Sequence, residues 1–265
     1  MLLRNTFNFN DFVAASNPCV AHVKHKNPVN KIYSTFSTPP ATTFAKTRRM
    51  NTQSDRITEL FDLLDNWRYF PGYQLERRSD IFFALYLKQI IHSKFGVPID
   101  AIIPEFPVRV GAIIDKEINK SFKIDYVCVS QEKRIVYLVE LKTDINSRRE
   151  KQDWYLKRAQ EINVKGLVDG LFKIYHATQQ KRKYTYLFHV LENLGWLFGV
   201  GEDTICNFGA MYQMEILYIQ PEKLPDDAIS NVITFEEIIS FLSEQPDPVA
   251  IRFAESLKRW KVNPN

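Results

Sequence analysis

The residues with the clearest chemical potential in this chain are two carboxylates and an amine, Asp125, Glu140 and Lys142. All three lie within residues 121–144, which have the pattern of two β-strands joined by a polar turn. The first strand alternates apolar and polar residues. The second, residues 135–139, is a continuous apolar block, which is typical of a strand buried on both faces.

The length of the turn predicts which residues of the two strands face each other. If residues 131–134 form a four-residue hairpin loop, Asp125 lies opposite Glu140 across the ladder. Side chains alternate along a strand, so Lys142 shares the face of Glu140 and Leu141 points away. The sequence therefore predicts that two carboxylates and one amine converge at one edge of a sheet.

Two carboxylates a few ångströms apart repel each other, and a bound cation commonly relieves that repulsion. Oxygen ligands alone favour Mg²⁺ or Mn²⁺ over Zn²⁺, and the carbonyl of Leu141 can supply a third oxygen. Such an ion lowers the pKa of a bound water and polarises a phosphate, while a neighbouring ammonium stabilises developing charge. The predicted chemistry is metal-dependent hydrolysis of a phosphodiester.

Asp125, followed by Glu140-x-Lys142 at the end of the next strand, resembles the motif of the PD-(D/E)xK nuclease superfamily, which has the restriction-endonuclease-like fold. The resemblance implies a nuclease in which Asp125 and Glu140 bind the metal and Lys142 positions or activates the water. It also implies DNA as the substrate and products with 5′-phosphate and 3′-hydroxyl ends. Ile124 stands where the namesake motif has proline, a departure that many members share. An E-x-K triplet is expected about once by chance in a chain of this length, so the strand context carries the interpretation.

An acidic residue of the first helix often completes the metal site in this superfamily, and Asp80 and Glu76 are the candidates here. Asp80 is preferred because it opens a helix predicted over residues 80–94. An aspartate at a helix start is equally typical of an N-cap. Glu105, in the predicted strand IIPEFPVRV, is a third candidate carboxylate.

A long helix is predicted from about residue 148, with Asn146 or Ser147 as its cap. The resemblance implies that a glutamine and a tyrosine of this helix, Gln152 and Tyr155, lie beside the active site. Their Gln-x-x-Tyr spacing differs from the QxxxY pattern of the RecB-like branch, so the chain is not assigned to that branch.

The first turns of the same helix are rich in basic residues. Arg148, Arg149 and Lys151, together with Tyr155, are the predicted nucleic-acid contacts, and a solvated helix face is the alternative interpretation. The charge is unevenly distributed along the chain. Residues 1–49 have a net charge of +6, and the whole chain has a net charge of +4, so residues 50–265 have a net charge of −2. Local patches, and not the overall charge, must attract nucleic acid.

Composition divides the chain at about Met50. Residues 1–49 are rich in Asn, Ser, Thr and Pro and are predicted to be a disordered basic extension. They also resemble a transit peptide, or an upstream extension that is never translated, because Met50 begins a normal-looking domain start. Residues 50–265 are predicted to form a single nuclease-like domain, with helices on both sides of a central mixed sheet.

Two global properties limit the setting of the protein. No run of about 18 apolar residues is present, so no membrane association is expected. Cys19, Cys128 and Cys206 are odd in number and form no CxxC pattern, which favours a reducing, cytoplasmic setting.

The expected partner is nucleic acid, and a homodimer would explain cutting of both strands. The alternative is a non-catalytic member of the same fold that binds nucleic acid or a protein. An open cleft around Asp125, Glu140 and Lys142 would favour the enzyme. A Glu140–Lys142 pair covered by the long helix would favour the non-catalytic alternative.

Overall fold

A five-stranded mixed sheet organises the part of the chain that a computed structural model describes, residues 54–199, 205–207, 211–225 and 231–261. These residues all fall in one compact unit, residues 49–265. The predicted N-terminal extension, residues 1–49, lies outside the described residues. In chain order the elements are α1 (Ser54–Trp67), α2 (Leu75–Phe95), β1 (Ala101–Arg109), α3 (Val110–Ile113), β2 (Ser121–Ser130), β3 (Ile135–Leu141), α4 (Glu150–Ala177), α5 (Thr185–Asn193), β4 (Leu197–Phe198), β5 (Ile205–Cys206), β6 (Gln213–Gln220), β7 (Val232–Thr234), α6 (Phe235–Ser243) and α7 (Pro248–Lys261).

The strand order of the sheet is β1-β2-β3-β6-β7. The first three strands pair antiparallel, and β3-β6 and β6-β7 pair parallel. Parallel neighbours need a long crossover connection, and α4 and α5 lie between β3 and β6 in the chain. The predicted fold class, a central mixed sheet flanked by helices, is confirmed.

Strand β3 lies at the centre of the sheet and carries side chains into two hydrophobic clusters, one on each face. Val136 and Leu138 pack with residues of α4 and α5. Tyr137 and Val139 pack with residues of α1, α2, α6 and α7. Because successive side chains of a strand point to opposite faces, the continuous apolar block of β3 is what two buried faces require.

The hairpin between β2 and β3 has the predicted turn and register. Residues 131–134 form the turn, and the pairing runs from Ser130 opposite Ile135 to Tyr126 opposite Val139. The strand predicted over residues 214–219 and the short strand after it are also confirmed, as are the two C-terminal helices, all to within two residues.

Helix α2 differs from its prediction in both its start and its buried face. It begins at Leu75, so Asp80 lies in its second turn and the N-cap interpretation of Asp80 is wrong. Ile81 and Leu85, predicted on the apolar face, are 66% and 56% exposed, whereas Phe83 is buried. The apolar residues of α2 are spread around nearly the whole helix, so the periodicity of the sequence alone does not predict which face is buried.

Helix α4 begins at Glu150, two residues later than predicted. The chain first forms a 3-10 turn, Ile145–Ser147, in which the side chain of Asp144 accepts a hydrogen bond from Asn146 N at 2.8 Å. The predicted caps Asn146 and Ser147 therefore belong to this turn and do not cap α4, whose N-cap residue is Arg149. Within the described ranges, no helix is long and apolar enough to cross a membrane.

Helices α1 and α7 are joined by a buried polar cluster around Asp65. Its carboxylate accepts hydrogen bonds from Arg252 at 2.8 Å, Arg259 at 2.7 Å and Trp260 at 2.8 Å. Asp62 adds a second carboxylate to Arg252 at 2.7 Å. Buried charges are tolerated when they are paired and hydrogen-bonded, as they are here.

We expect Asp65→Ala to lower the free energy of unfolding by about 3 kcal/mol, because removing one partner leaves the buried Arg252 charge undercompensated. Glu59→Ala, which removes an exposed ion pair with Arg56 on the same helix, should cost less than about 1 kcal/mol. Chemical denaturation at neutral pH measures both values. Equal losses in the two variants would contradict a structural role for the Asp65 cluster.

Candidate active site

A cavity of about 220 Å³ opens where β1, β2 and β3 meet the starts of α2 and α4. The residues that line it come from all five elements: Glu76, Arg77, Asp80, Pro104, Glu105, Lys123, Asp125, Tyr126, Glu140, Leu141, Lys142 and Gln152. The structure thus brings together every residue predicted from the sequence to be catalytic or metal-binding. It does not bring Arg148, Arg149, Lys151 or Tyr155 to this cavity.

The β2–β3 ladder ends one position before the carboxylates. Backbone pairing stops at Tyr126 and Val139, and the next position in this register places Asp125 opposite Glu140. At this position a side-chain hydrogen bond replaces the backbone pairing, because Asp125 Oδ2 accepts a hydrogen bond from Leu141 N at 2.8 Å. The carboxylate of Asp125 is therefore held at the end of β3, beside Glu140.

The β1–β2 ladder is also interrupted at Asp125. Pro104 pairs with Tyr126 and Phe106 with Ile124, which leaves Glu105 at the position opposite Asp125. Glu105 has a φ of 52°, a left-handed conformation that is uncommon for residues other than glycine. Such backbone strain concentrates at functional sites.

Glu140 is the most deeply buried carboxylate of the cavity, with a side chain that is 3% exposed. Its Oε1 accepts a hydrogen bond from Lys142 Nζ at 2.7 Å and another from Gln152 Nε2. The charge of the neighbouring Asp125 acts on Glu140 as well and raises its pKa, so the pair of carboxyl groups keeps one proton at neutral pH.

The pKa of Glu140 is raised to about 8. Burial is the largest cause, and repulsion by the Asp125 charge adds to it, while the Lys142 ammonium opposes both. Burial also raises the pKa of Asp125. An ordinary ion pair lowers the pKa of its carboxylate, so the raised value shows that burial and the second carboxylate outweigh the Lys142 charge.

Lys142 is buried and lies between two carboxylates, with Nζ 2.7 Å from Glu140 and 3.6 Å from Glu76. Burial lowers its pKa, but attraction to Glu140, Glu76 and Asp125 more than compensates, so the net pKa is raised and the ammonium stays charged. The ammonium of Lys142 therefore interacts electrostatically with three carboxyl groups.

Both acidic candidates of α2 line the cavity, but they have different partners. Burial raises the pKa of Glu76, whose carboxylate interacts with Lys142 and with the N–H of Thr143. The Asp80 carboxylate accepts a hydrogen bond from Ile81 N at 2.7 Å. The sequence preferred Asp80, whereas the structure places Glu76 at Lys142. A role for either residue as a metal ligand stays a prediction.

Arg148 is the basic residue whose placement differs most from its prediction. Only 8% of its side chain is exposed, and it forms an ion pair with Asp153 at 3.1 Å. Its guanidinium lies 4.0 Å from the centre of the Tyr218 ring, and the Tyr218 hydroxyl bonds to Asp153. This placement argues against Arg148 as a phosphate contact, because its guanidinium is buried between Asp153 of α4 and Tyr218 of β6.

The other predicted nucleic-acid contacts lie outside the cavity on α4. Arg149 and Lys151 are exposed. Tyr155 is half-buried, with its ring 5.0 Å from that of Phe122, and Lys151 Nζ lies 5.9 Å from the Tyr155 ring centre. Their contacts with nucleic acid stay predictions.

The donor set of the cavity fits a hard divalent cation in its chemistry. Asp125 and Glu140 supply two carboxylates that share a proton, which is the arrangement a cation replaces. Leu141 N–H points toward Asp125, and in a strand the carbonyl of a residue points to the same side as its N–H. Across the described ranges, no three His, Cys, Asp or Glu side chains are grouped so as to hold a metal, so further ligands would be carbonyl oxygen and water.

Comparisons with protein-family models, with curated protein sequences and with solved structures give no match for this chain. The resemblance to the PD-(D/E)xK superfamily therefore stands on Asp125, Glu140 and Lys142 and on the cavity that they line.

We expect the stability of the metal-free protein to fall as the pH rises from about 4.5 to about 8. The folded-state pKa of Glu140, about 8, lies above the ordinary value of 4.5, so in this interval the folded protein holds a proton that the unfolded chain has lost. Thermal denaturation in EDTA should show this decline in the wild type, and it should be weaker in Glu140→Gln.

The matched control is Glu161→Gln, which changes an exposed carboxylate on α4. Its pH profile should follow that of the wild type. Parallel profiles for Glu140→Gln and the wild type would show that Glu140 does not hold the proton.

Proposed function

We propose that this chain is a Mg²⁺- or Mn²⁺-dependent nuclease of the PD-(D/E)xK type, with a restriction-endonuclease-like fold, that hydrolyses phosphodiester bonds of DNA. The observation that carries the proposal is the cluster of Asp125, Glu140 and Lys142 in one cavity, with a pKa near 8 on Glu140. Burial of several interacting charges is costly, and perturbed carboxylates in a cleft are characteristic of catalytic sites.

In this proposal Asp125, Glu140 and the carbonyl of Leu141 hold the ion. A bound divalent ion supplies positive charge that polarises a phosphate oxygen and lowers the pKa of a bound water. The shared proton of Asp125 and Glu140 leaves when both carboxylates become ligands. Gln152 acts as a positioning residue, because its amide donates to Glu140 and fixes the orientation of that carboxylate.

Lys142 contributes a charge that does not depend on the pH near neutrality. Its raised pKa keeps the ammonium protonated, and its position beside Glu140 puts that charge next to the proposed ligands. A fixed cation at this place stabilises the negative charge that develops on a phosphate during hydrolysis. Lys142 also has N–H groups that can orient a water for attack.

Arg77 and Lys123 are the basic residues that the proposal adds at the rim. Both are exposed and both line the cavity, Arg77 from α2 and Lys123 from β2. They are better placed than Arg148 to contact phosphates on either side of the reacting bond. The proposal retains three expectations from the sequence analysis. These are DNA as the substrate, a homodimer that cuts both strands, and a cytoplasmic setting.

A non-catalytic protein of the same fold is the second candidate, and one observation favours it. Glu140 and Lys142 form a buried ion pair at 2.7 Å, and Gln152 of α4 covers Glu140. In that case the cluster stabilises the end of β3, and the surface around it binds nucleic acid or a protein. The two candidates differ in whether the cluster supports turnover.

Cleavage of supercoiled plasmid, single-stranded DNA and RNA, each with Mg²⁺, Mn²⁺ or EDTA, tests the proposal. We expect metal-dependent cutting of DNA that falls by about 100-fold or more in Lys142→Met, because a preorganised charge at the reacting phosphate is removed. Glu140→Gln should also be inactive, and Glu161→Gln should cut as the wild type does.

Cutting that persists in EDTA, or that is unchanged in Glu140→Gln, would refute the assignment of the site. No cutting of any substrate by the wild type would favour the non-catalytic candidate.

A further inference from the structure

The connection between α1 and α2 exposes several large aromatic rings just before the first turn of α2, which carries Glu76 of the candidate active site. We call residues 67–73, WRYFPGY, the aromatic loop. Trp67, Tyr69 and Phe70 are 44%, 61% and 63% exposed. Single exposed apolar residues are normal at a protein surface, but three large rings within four residues form a patch of the kind that marks a binding surface.

The shape of the aromatic loop is fixed by its own contacts. Phe70 N donates to Trp67 O at 2.9 Å, and Tyr73 N donates to Phe70 O at 3.1 Å, which makes two successive turns. Trp67 and Tyr73 meet edge to face at 6.2 Å. Arg68 donates to the backbone carbonyl of Arg259 in α7 at 3.1 Å. The backbone of the loop and the Trp67 and Tyr73 rings are therefore preorganised, which lowers the entropic cost of binding.

A second cavity connects the aromatic loop with the candidate active site. It has a volume of about 560 Å³, and Arg68 and Tyr73 of the loop line it. Glu76 and Arg77 line this cavity and also line the active-site cavity. A chain that enters over the loop can therefore reach Lys142 along the first turn of α2.

The charge of this second cavity indicates what kind of contact it makes. Arg68, Arg77 and Lys261 are balanced by three acidic lining residues, Glu76, Asp144 and Glu222. Attraction of phosphates alone would require a basic excess. Aromatic stacking does not, because every base has a face that stacks on a ring, whatever the sequence.

We propose that the aromatic loop is a platform on which unpaired bases stack, so that the substrate carries a single-stranded segment beside the bond to be cut. This inference rests on the proposed nuclease function. Paired bases in a duplex are already stacked on each other and cannot lie on Tyr69 and Phe70. The guanidinium of Arg68, 5.3 Å from the centre of the Tyr69 ring, adds a cation–π contact within the platform. Arg77 and Arg78 are exposed on the adjoining turn of α2, where they can meet the phosphates of the same strand.

Fluorescence anisotropy of a labelled 20-nucleotide single strand and of the corresponding duplex, with the full-length protein in EDTA, tests the platform without requiring cleavage. Tyr69→Ala/Phe70→Ala should weaken binding of the single strand by at least about five-fold, the lower end of the effect of losing one stacked base. Binding of the duplex should change by less than two-fold. Tyr186→Ala, which removes an even more exposed ring from α5 on the opposite face of the sheet, should leave both affinities unchanged.

An unchanged single-strand affinity in the double variant would overturn the inference, as would an equal loss for single strand and duplex. A smaller species in sedimentation of the double variant would also overturn it, because the loop would then join two copies of the chain. The proposed function is tested separately by the cleavage assay. Loss of cutting in Glu140→Gln together with unchanged strand binding in the loop variant would remove the platform and leave the nuclease in place.

Discussion

The confinement of Asp125 and Glu140 in one partly buried site, with a single ammonium beside them, is the constraint on which the other features of this site depend. Two carboxylates in such a place are stable only while they share a proton or bind a cation. Lys142 does not satisfy this demand alone, since the pKa of Glu140 is raised to about 8 despite the ion pair. In the proposed function, a divalent ion takes the place of that proton.

The elements around the site hold Asp125 and Glu140 close together despite their mutual repulsion. Backbone pairing of β3 with β6 continues to the site, where Lys142 N donates to Ile219 O at 2.8 Å. Helix α4 supplies Gln152, and the start of α4 is fastened by Arg148 to Asp153 and Tyr218. Hydrophobic clusters on both faces of the sheet cover the rest of β3, so the strand end cannot move to relieve the repulsion.

The sequence predicts the hairpin well, because a four-residue turn and a continuous apolar strand leave one register for Asp125 and Glu140. It does not predict the start of α2, and so it ranks Asp80 before Glu76. The sequence does not predict the burial of Arg148 either, because one of its partners, Tyr218, lies 70 positions away in the chain and arginine is usually exposed. The cavity-lining Arg77 and Lys123 are missed for the same reason, since their place depends on how helix and strand pack.

Calorimetric titration of the protein with Mg²⁺ or Mn²⁺ at pH 7, in two buffers of different ionisation enthalpy, measures how many protons leave when the ion binds. We expect saturable binding with release of nearly one proton per ion, because the proton held by the Asp125–Glu140 pair must leave when both residues become ligands. Glu140→Gln should bind far more weakly and release none. Saturable binding without proton release, or equal binding by Glu140→Gln, would contradict a metal site at the Asp125–Glu140 pair.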